Sequence, residues 1–321
     1  MANSKSNKNA APDDDGVPQL LPAPLAYLNP DYLNSPDGRI LRILSEYAEP
    51  LSRFRREKIQ DTVVFFGSAR FASLPDAQNA LTILEKPGSA KPAPPSEQPG
   101  AKDGDALQAE LKRAHAGVEM ARYYEEARRL AHMLTEWTMT LPGKRRRFVV
   151  TSGGGPGIME AANRGAREAG GKTIGLNIRL PFEQYPNQYI TPELNFEFHY
   201  FFMRKYWFAY LAKALVVFPG GFGTLDEFFE ILTLAQTHKL AKKILVIVYG
   251  KEYWKRVLNL DALVDAGTIS PEDVNGFTMV DTPEEAFEVL KEGLTKYHLQ
   301  PQPTKHAAAS EEGPEIAKTL P

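Results

Sequence analysis

Residues 218–227 read Phe218-Pro219-Gly220-Gly221-Phe222-Gly223-Thr224-Leu225-Asp226-Glu227. The run before them, Ala214-Leu215-Val216-Val217, is continuously apolar, as in a strand covered on both faces. After them, Phe228, Ile231, Leu232 and Ala235 recur at three and four, the spacing of an amphipathic helix. The order is therefore strand, glycine turn, helix. Gly220, Gly221 and Gly223 let backbone N–H groups approach a ligand at the positive end of the helix dipole, which suits a phosphate. Thr224 and Glu227 also fit a capping box, so Glu227 is open to two readings, helix start or site. A glycine-rich mouth at the carboxyl end of a buried strand is where open α/β sheets bind ligands.

Working outward, the same grammar recurs. Residues 148–152 form an apolar strand that opens into Gly153-Gly154-Gly155-Pro156-Gly157, with Pro156 placed as a first-turn proline of the next helix. A first strand over 61–66 runs into a turn carrying Gly67, Ser68 and Arg70. Further strands are expected at 173–176, 196–199 and 244–249. Helices are expected at 37–58, interrupted near Pro50, at 118–137 ending at Pro142-Gly143, after 224, and near 251–266 and 283–297. Strands alternating with helices predict an α/β, doubly wound, mostly parallel sheet with helices on both faces. The glycine turns at 151–160 and 218–227 are then expected to point into one crevice.

Composition narrows the field. The 321 residues, 43% of them hydrophobic, suffice for a substantial core. A net charge of -2 gives no argument for a nucleic-acid or membrane partner. The absence of cysteine removes disulfides, thiolate metal sites and cysteine nucleophiles together. With no apolar signal segment and no apolar stretch of about 18 residues, a cytoplasmic protein is expected. The domain reading is a flexible arm over 1–35, one domain over 36–298 with a Pro/Gly-rich insertion at about 75–115, and a disordered tail over 299–321. Within the insertion, 85–105 is too rich in proline and glycine for a regular element.

Other motifs fail on inspection. The dinucleotide fingerprint needs a glycine where Glu160 stands, and Gly171-Lys172-Thr173 lacks the earlier glycine of a P-loop and runs from helix to strand. The six histidines, at 115, 132, 199, 238, 298 and 306, show no metal-ligand spacing, and His199 reads as a packed core residue. The basic run at 144–147 reads as a solvated turn. Arg204, set among Phe201, Phe202 and Tyr206, reads as a cation in a partly buried aromatic setting, where it requires an anionic or planar partner.

Taken together, Gly153-Gly-Gly-Pro-Gly157-Ile-Met-Glu160, Met203-Arg204-Lys205 and Pro219-Gly-Gly-Phe-Gly-Thr-Leu-Asp-Glu227 resemble the LOG family, whose members are phosphoribohydrolases often labelled lysine decarboxylase-like. The resemblance covers roughly 60–295. It implies a Rossmann-like fold, a homodimer or higher homo-oligomer, no cofactor, and hydrolysis of the N-glycosidic bond of a nucleoside 5′-monophosphate such as AMP or a cytokinin ribotide. It further implies Arg204 and Glu227 as the catalytic pair. Gly220, Gly221, Gly223, Thr224, Gly153, Gly154, Gly155, Gly157, Ser68, Arg70, Met203, Lys205 and Asp226 would be the substrate- and phosphate-binding residues. A nucleotide-sensing module of the same fold, without cleavage, is the competing reading. A decarboxylase would need pyridoxal phosphate and a Schiff-base lysine, and Lys205, Lys239, Lys242 and Lys243 all read as surface residues.

Overall fold

The computed structural model describes residues 22–86, 103–181, 185–237, 239–240 and 242–300. The first part of the expected arm, the centre of the Pro/Gly-rich insertion, the tail after 300, His238 and His306 lie outside the described residues.

The chain divides into two units, 1–47 and 48–321. In the first, helix α1 (Pro30–Asn34) is capped by Asn29, whose side chain accepts from Asp31 N and Tyr32 N, and Pro30 supplies the preset first-turn φ. Helix α2 (Arg39–Arg56) continues past the boundary between the units, and Pro50 sits inside it without ending it. The expected interruption is absent: proline removes one N–H bond, but Pro50 and Phe54 are buried, and that packing holds the helix together.

The second unit is a seven-stranded sheet whose order is β4-β3-β2-β1-β5-β6-β7, with every neighbouring pair parallel. The strands are β1 (Thr62–Phe66), β2 (Val149–Ser152), β3 (Ile174–Ile178), β4 (Asn195–Phe198), β5 (Ala212–Val217), β6 (Leu245–Tyr249) and β7 (Thr278–Val280). Between them run α3 (Leu74–Glu85), α4 (Asp103–Met139), α5 (Ile158–Glu168), α6 (Phe201–Leu211), α7 (Phe222–Gln236), α8 (Lys251–Val257), α9 (Leu260–Asp265) and α10 (Pro283–Leu294). Two of these correct the reading of the insertion, since α3 fills 74–85 and α4 already begins at Asp103. Ser73 starts α3 by accepting from Asp76 N, a signal that the neighbouring proline cluster masks.

Alternation along β1 divides the core. Val63 and Phe65 join Val150, Val216 and Ile247 under α4, α5 and α10, where Ala127, Leu130, Ala161 and Leu290 are fully buried. Val64 and Phe66 face the other way, and the Phe66 ring meets Phe208 of α6 edge-on at 4.8 Å. Helices thus cover both faces, and the central strands β1 and β6 read as nearly unbroken apolar runs because neither of their faces meets water, whereas edge strand β4 exposes Glu197. Sequential strands add outward from β1 to β4, then the chain returns and places β5 on the other side of β1. That reversal leaves a crevice at the carboxyl ends of β1 and β5, the position at which open parallel sheets bind ligands.

Several side chains depart from expectation. His199 is exposed, with its ring edge-on to Tyr200, because it follows the last residue of edge strand β4. Lys144, Arg145 and Arg146 are solvated, but Arg147 is not: its Nε donates to the buried Asp61 at 2.8 Å. Lys242 is half-buried, donates to the Tyr210 carbonyl, and burial brings its ammonium down to about 7. No described helix is long and apolar enough to cross a membrane.

Candidate active site

Three turns meet at the switch point. After β1, Ser68 N donates to Pro219 O at 2.9 Å, and Ser68 O accepts from Ile158 N at 3.0 Å. The first turn therefore fastens the other two, and a cavity of about 740 Å³ opens above it. The two glycine turns reach the same edge of the sheet, but β1 stands between β2 and β5, so the turn after β1 forms the floor.

Helix α7 begins three residues earlier than the capping-box reading requires. Gly221 is its N-cap with no side-chain cap, and Thr224 is already the third helical residue. Glu227 is thereby freed from a capping role. Its side chain is buried, and Oε1 has no hydrogen-bond partner. The nearest cation is Arg204 Nη2 at 3.8 Å, close enough for an ion pair and too far for a hydrogen bond. Burial raises the Glu227 carboxyl to about 7 and outweighs the opposing pull of Arg204 and Lys205. Arg204 is itself held below the ordinary guanidinium value by burial, with Glu227 opposing. Its Cζ lies 5.3 Å from the Phe201 ring and 5.5 Å from Phe208, which walls it from water.

Of the residues singled out in the sequence, Arg204, Glu227, Gly220, Gly221, Gly223, Thr224, Gly153, Ser68 and Arg70 line the cavity. Gly220 sits under Thr224, whose Oγ1 would lie 2.1 Å from any added Cβ, so the turn closes only on a residue without one. Gly154, Gly155, Gly157, Met203, Lys205 and Asp226 do not line the cavity; they build it. Asn187 Nδ2 holds the Gly154 and Gly155 carbonyls at 3.1 Å each. Gly157 caps α5 with φ 72°, and Pro156 stands just before it instead of in the first turn. Met203 is buried in α6. Lys205 Nζ meets Asp226 Oδ1 at 2.7 Å, pinning α6 to α7 one residue away from the Arg204–Glu227 pair.

The second glycine turn hangs on one buried amide. Asn163 Oδ1 accepts from Ser152 Oγ at 2.7 Å and from Asn187 Nδ2 at 2.9 Å, while its Nδ2 donates to Ile174 O at 3.2 Å. Replacing Asn163 by alanine removes these buried hydrogen bonds together, and a loss of about 2–3 kcal/mol in urea unfolding is expected. A loss under about 0.5 kcal/mol would remove Asn163 from this supporting role.

The family described as "possible lysine decarboxylase" matches residues 159–290. A cytokinin riboside 5′-monophosphate phosphoribohydrolase of Arabidopsis thaliana is 30% identical over 152 residues, covering 46% of this chain and 64% of that protein. The chain is similar to the LOG family over this stretch and spans just under two thirds of the length of the Arabidopsis relative. A probable enzyme of the same description from Oryza sativa subsp. japonica is 27% identical over 47% of this chain and 70% of its own length. A cytokinin riboside 5′-monophosphate phosphoribohydrolase of Rhodococcoides fascians is 31% identical over 38% of this chain and 62% of its own length. A molybdenum cofactor carrier protein of Chlamydomonas reinhardtii is 17% identical, over 74% of this chain and 99% of its own, with a TM-score of 0.39.

The cavity also contains residues that the LOG-type motifs do not announce. Phe71, Met120 and Met159 supply an apolar wall, and Tyr253 donates from its hydroxyl to Gly220 O at 2.9 Å, steadying the main glycine turn. Met159 lies inside the second motif and could have been found there. Met120 and Tyr253 come from remote helices and carry no local signal. Among the described residues, no lysine lines the cavity.

Proposed function

We propose that this protein hydrolyses the N-glycosidic bond of a purine nucleoside 5′-monophosphate, AMP or an N6-modified AMP, giving the free base and ribose 5-phosphate. The observation that carries the reading is Glu227, a buried carboxylate near neutrality with one oxygen unpartnered among the described residues, 3.8 Å from a partly buried Arg204. The phosphate would rest on the start of α7 at Gly221 and Gly223, where the helix dipole and open backbone favour an anion. The apolar wall of Phe71, Met120 and Met159 would receive the base.

Breaking the bond between C1′ and the base nitrogen leaves positive charge on the ribose. An ionised Glu227 stabilises that charge and takes a proton from the water whose oxygen bonds to C1′; the electron pair of the broken bond leaves on the base nitrogen, which takes up a proton from solvent. Arg204 holds the nucleotide and orients it. Raising the carboxyl towards 7 makes it a better base at neutral pH, at the cost of half its ionised population there. Among the described residues, none in the cavity offers the amine that pyridoxal-dependent decarboxylation needs. Assembly as a homo-oligomer is part of the same proposal.

The direct test is chromatographic release of base and ribose 5-phosphate from AMP and from N6-isopentenyl-AMP. Release by the wild type supports hydrolysis and ranks the substrates. Tight nucleotide binding with no release would overturn hydrolysis and leave a sensor. The pH profile is a separate check. Since Glu227 must be ionised to act, kcat/KM is expected to rise about tenfold per pH unit below the carboxyl's value of about 7 and to level above it. A profile that falls over this range would make Glu227 an acid instead.

A further inference from the structure

A second cavity, of about 520 Å³, lies at the opposite end of the sheet, among the segments that lead into β1, β2 and β3. Its lining includes Lys58, Lys144, Arg146 and Lys172, with Thr135 and Gly171. Strand β2 separates the two cavities: Val149 and Val150 line this one, and Gly153 the other, about 10–13 Å along the strand.

The charges are not all spoken for by the fold. Arg147 is matched by Asp61, and Lys172 by Glu57. Among the described residues, Lys58, Lys144 and Arg146 make no ion pair, and Arg146 acts only as a more distant charge that helps to lower the Glu57 carboxyl. Helices α4 and α5 end beside the cavity, and their carbonyl termini supply about half a negative charge each. Three cations against roughly one unit of dipole charge leave a clear positive excess.

Two further observations point to a ligand. Thr135 is buried, lines the cavity, and its Oγ1 has no hydrogen-bond partner, which is uncommon in a folded core. The only non-glycine residues with positive φ among those described are Lys58 at 57° and Phe148 at 54°, and both belong to the strand approaches that shape this cavity. Such backbone strain costs on the order of 1–2 kcal/mol per residue and collects at binding sites.

We infer that this cavity binds a small molecule bearing two or more linked phosphates. Lysine and arginine are the residues that recognise phosphate, and a concavity of this volume suits a compact ligand. A nucleic acid would meet a chain of net charge -2 with only one short basic stretch.

The test is calorimetric titration of the full chain with inorganic triphosphate, ATP and a short RNA. Wild type and Glu227→Gln are expected to bind triphosphate alike, because the catalytic cavity is not the site. A Lys144→Gln/Arg146→Gln double variant, altered only at exposed side chains, is expected to bind on the order of tenfold more weakly with an unchanged Tm, the loss corresponding to about 1.4 kcal/mol. Tighter binding of ATP than of triphosphate, lost in the same variant, also supports the assignment and shows that the cavity reads the nucleoside. No binding by the wild type, equal binding by the double variant, or RNA binding tighter than triphosphate binding and lost in that variant would each overturn it.

Discussion

Glu227→Gln is expected to lower kcat for base release on the order of 10²- to 10⁴-fold, with KM changed far less. Glutamine keeps the volume and can occupy the same buried position, so the loss isolates the charge. It cannot take a proton from water or stabilise positive charge on the ribose. The same substitution has a thermodynamic signature that does not depend on any substrate. A carboxyl that ionises at 4.5 when unfolded and at about 7 when folded retains a proton in the native state over that window. Wild-type stability therefore falls as pH rises from about 4.5 to 7, by about 3 kcal/mol in all. Glutamine does not titrate. Relative to wild type, Glu227→Gln should become progressively more stable through that window, whatever constant amount is lost from the Arg204 contact. Urea unfolding of both proteins across the range measures it, and parallel curves would mean that Glu227 ionises as an ordinary surface carboxylate.

The second large effect is expected at Gly157→Ala. This residue caps α5 at φ 72° and ψ −133°, a region that side chains rarely enter. A Cβ there would lie 2.3 Å from Ser68 O, which is backbone and cannot swing aside. Strain and collision together are expected to cost about 3–5 kcal/mol. Ser68 O is also the acceptor for Ile158 N, so relief of the collision shifts the turn that joins both glycine segments. A protein that still folds should thus show a raised KM for the nucleotide, which separates damage to the site from general destabilisation. Stability within about 0.5 kcal/mol of wild type would contradict this account.

Six of the seven strands were legible from local apolar patterning, which is most continuous in β1 and β6; the three-residue β7, with only Val280 buried, was not expected. The glycine turns were legible too; Arg204 and Glu227, expected as a pair from the family resemblance, lie 3.8 Å apart in the structure. What could not be read depends on partners distant in the chain. Arg147 resembles its solvated neighbours until Asp61 is seen beside it. His199 sits next to aromatic residues in sequence, but the strand it follows is at an edge. The start of α7 was misplaced because Gly223 disfavours a helix interior, while in the structure it occupies the first turn. Thr224 and Glu227 keep capping-box spacing, yet the helix starts upstream of them.

The position of β1 at the centre of the sheet also governs how the chain comes together in time. Thr62 pairs with Val149 on one side and Ala212 on the other, so its second neighbour is separated from it by about 150 residues. At about 5–20 residues per second, a ribosome takes roughly ten to thirty seconds to cover that distance. Throughout it, Thr62-Val63-Val64-Phe65-Phe66 remains a strand with at least one open edge and no charge to guard it. The strand that leads into the floor of the candidate-site cavity is therefore exposed to misassociation during synthesis.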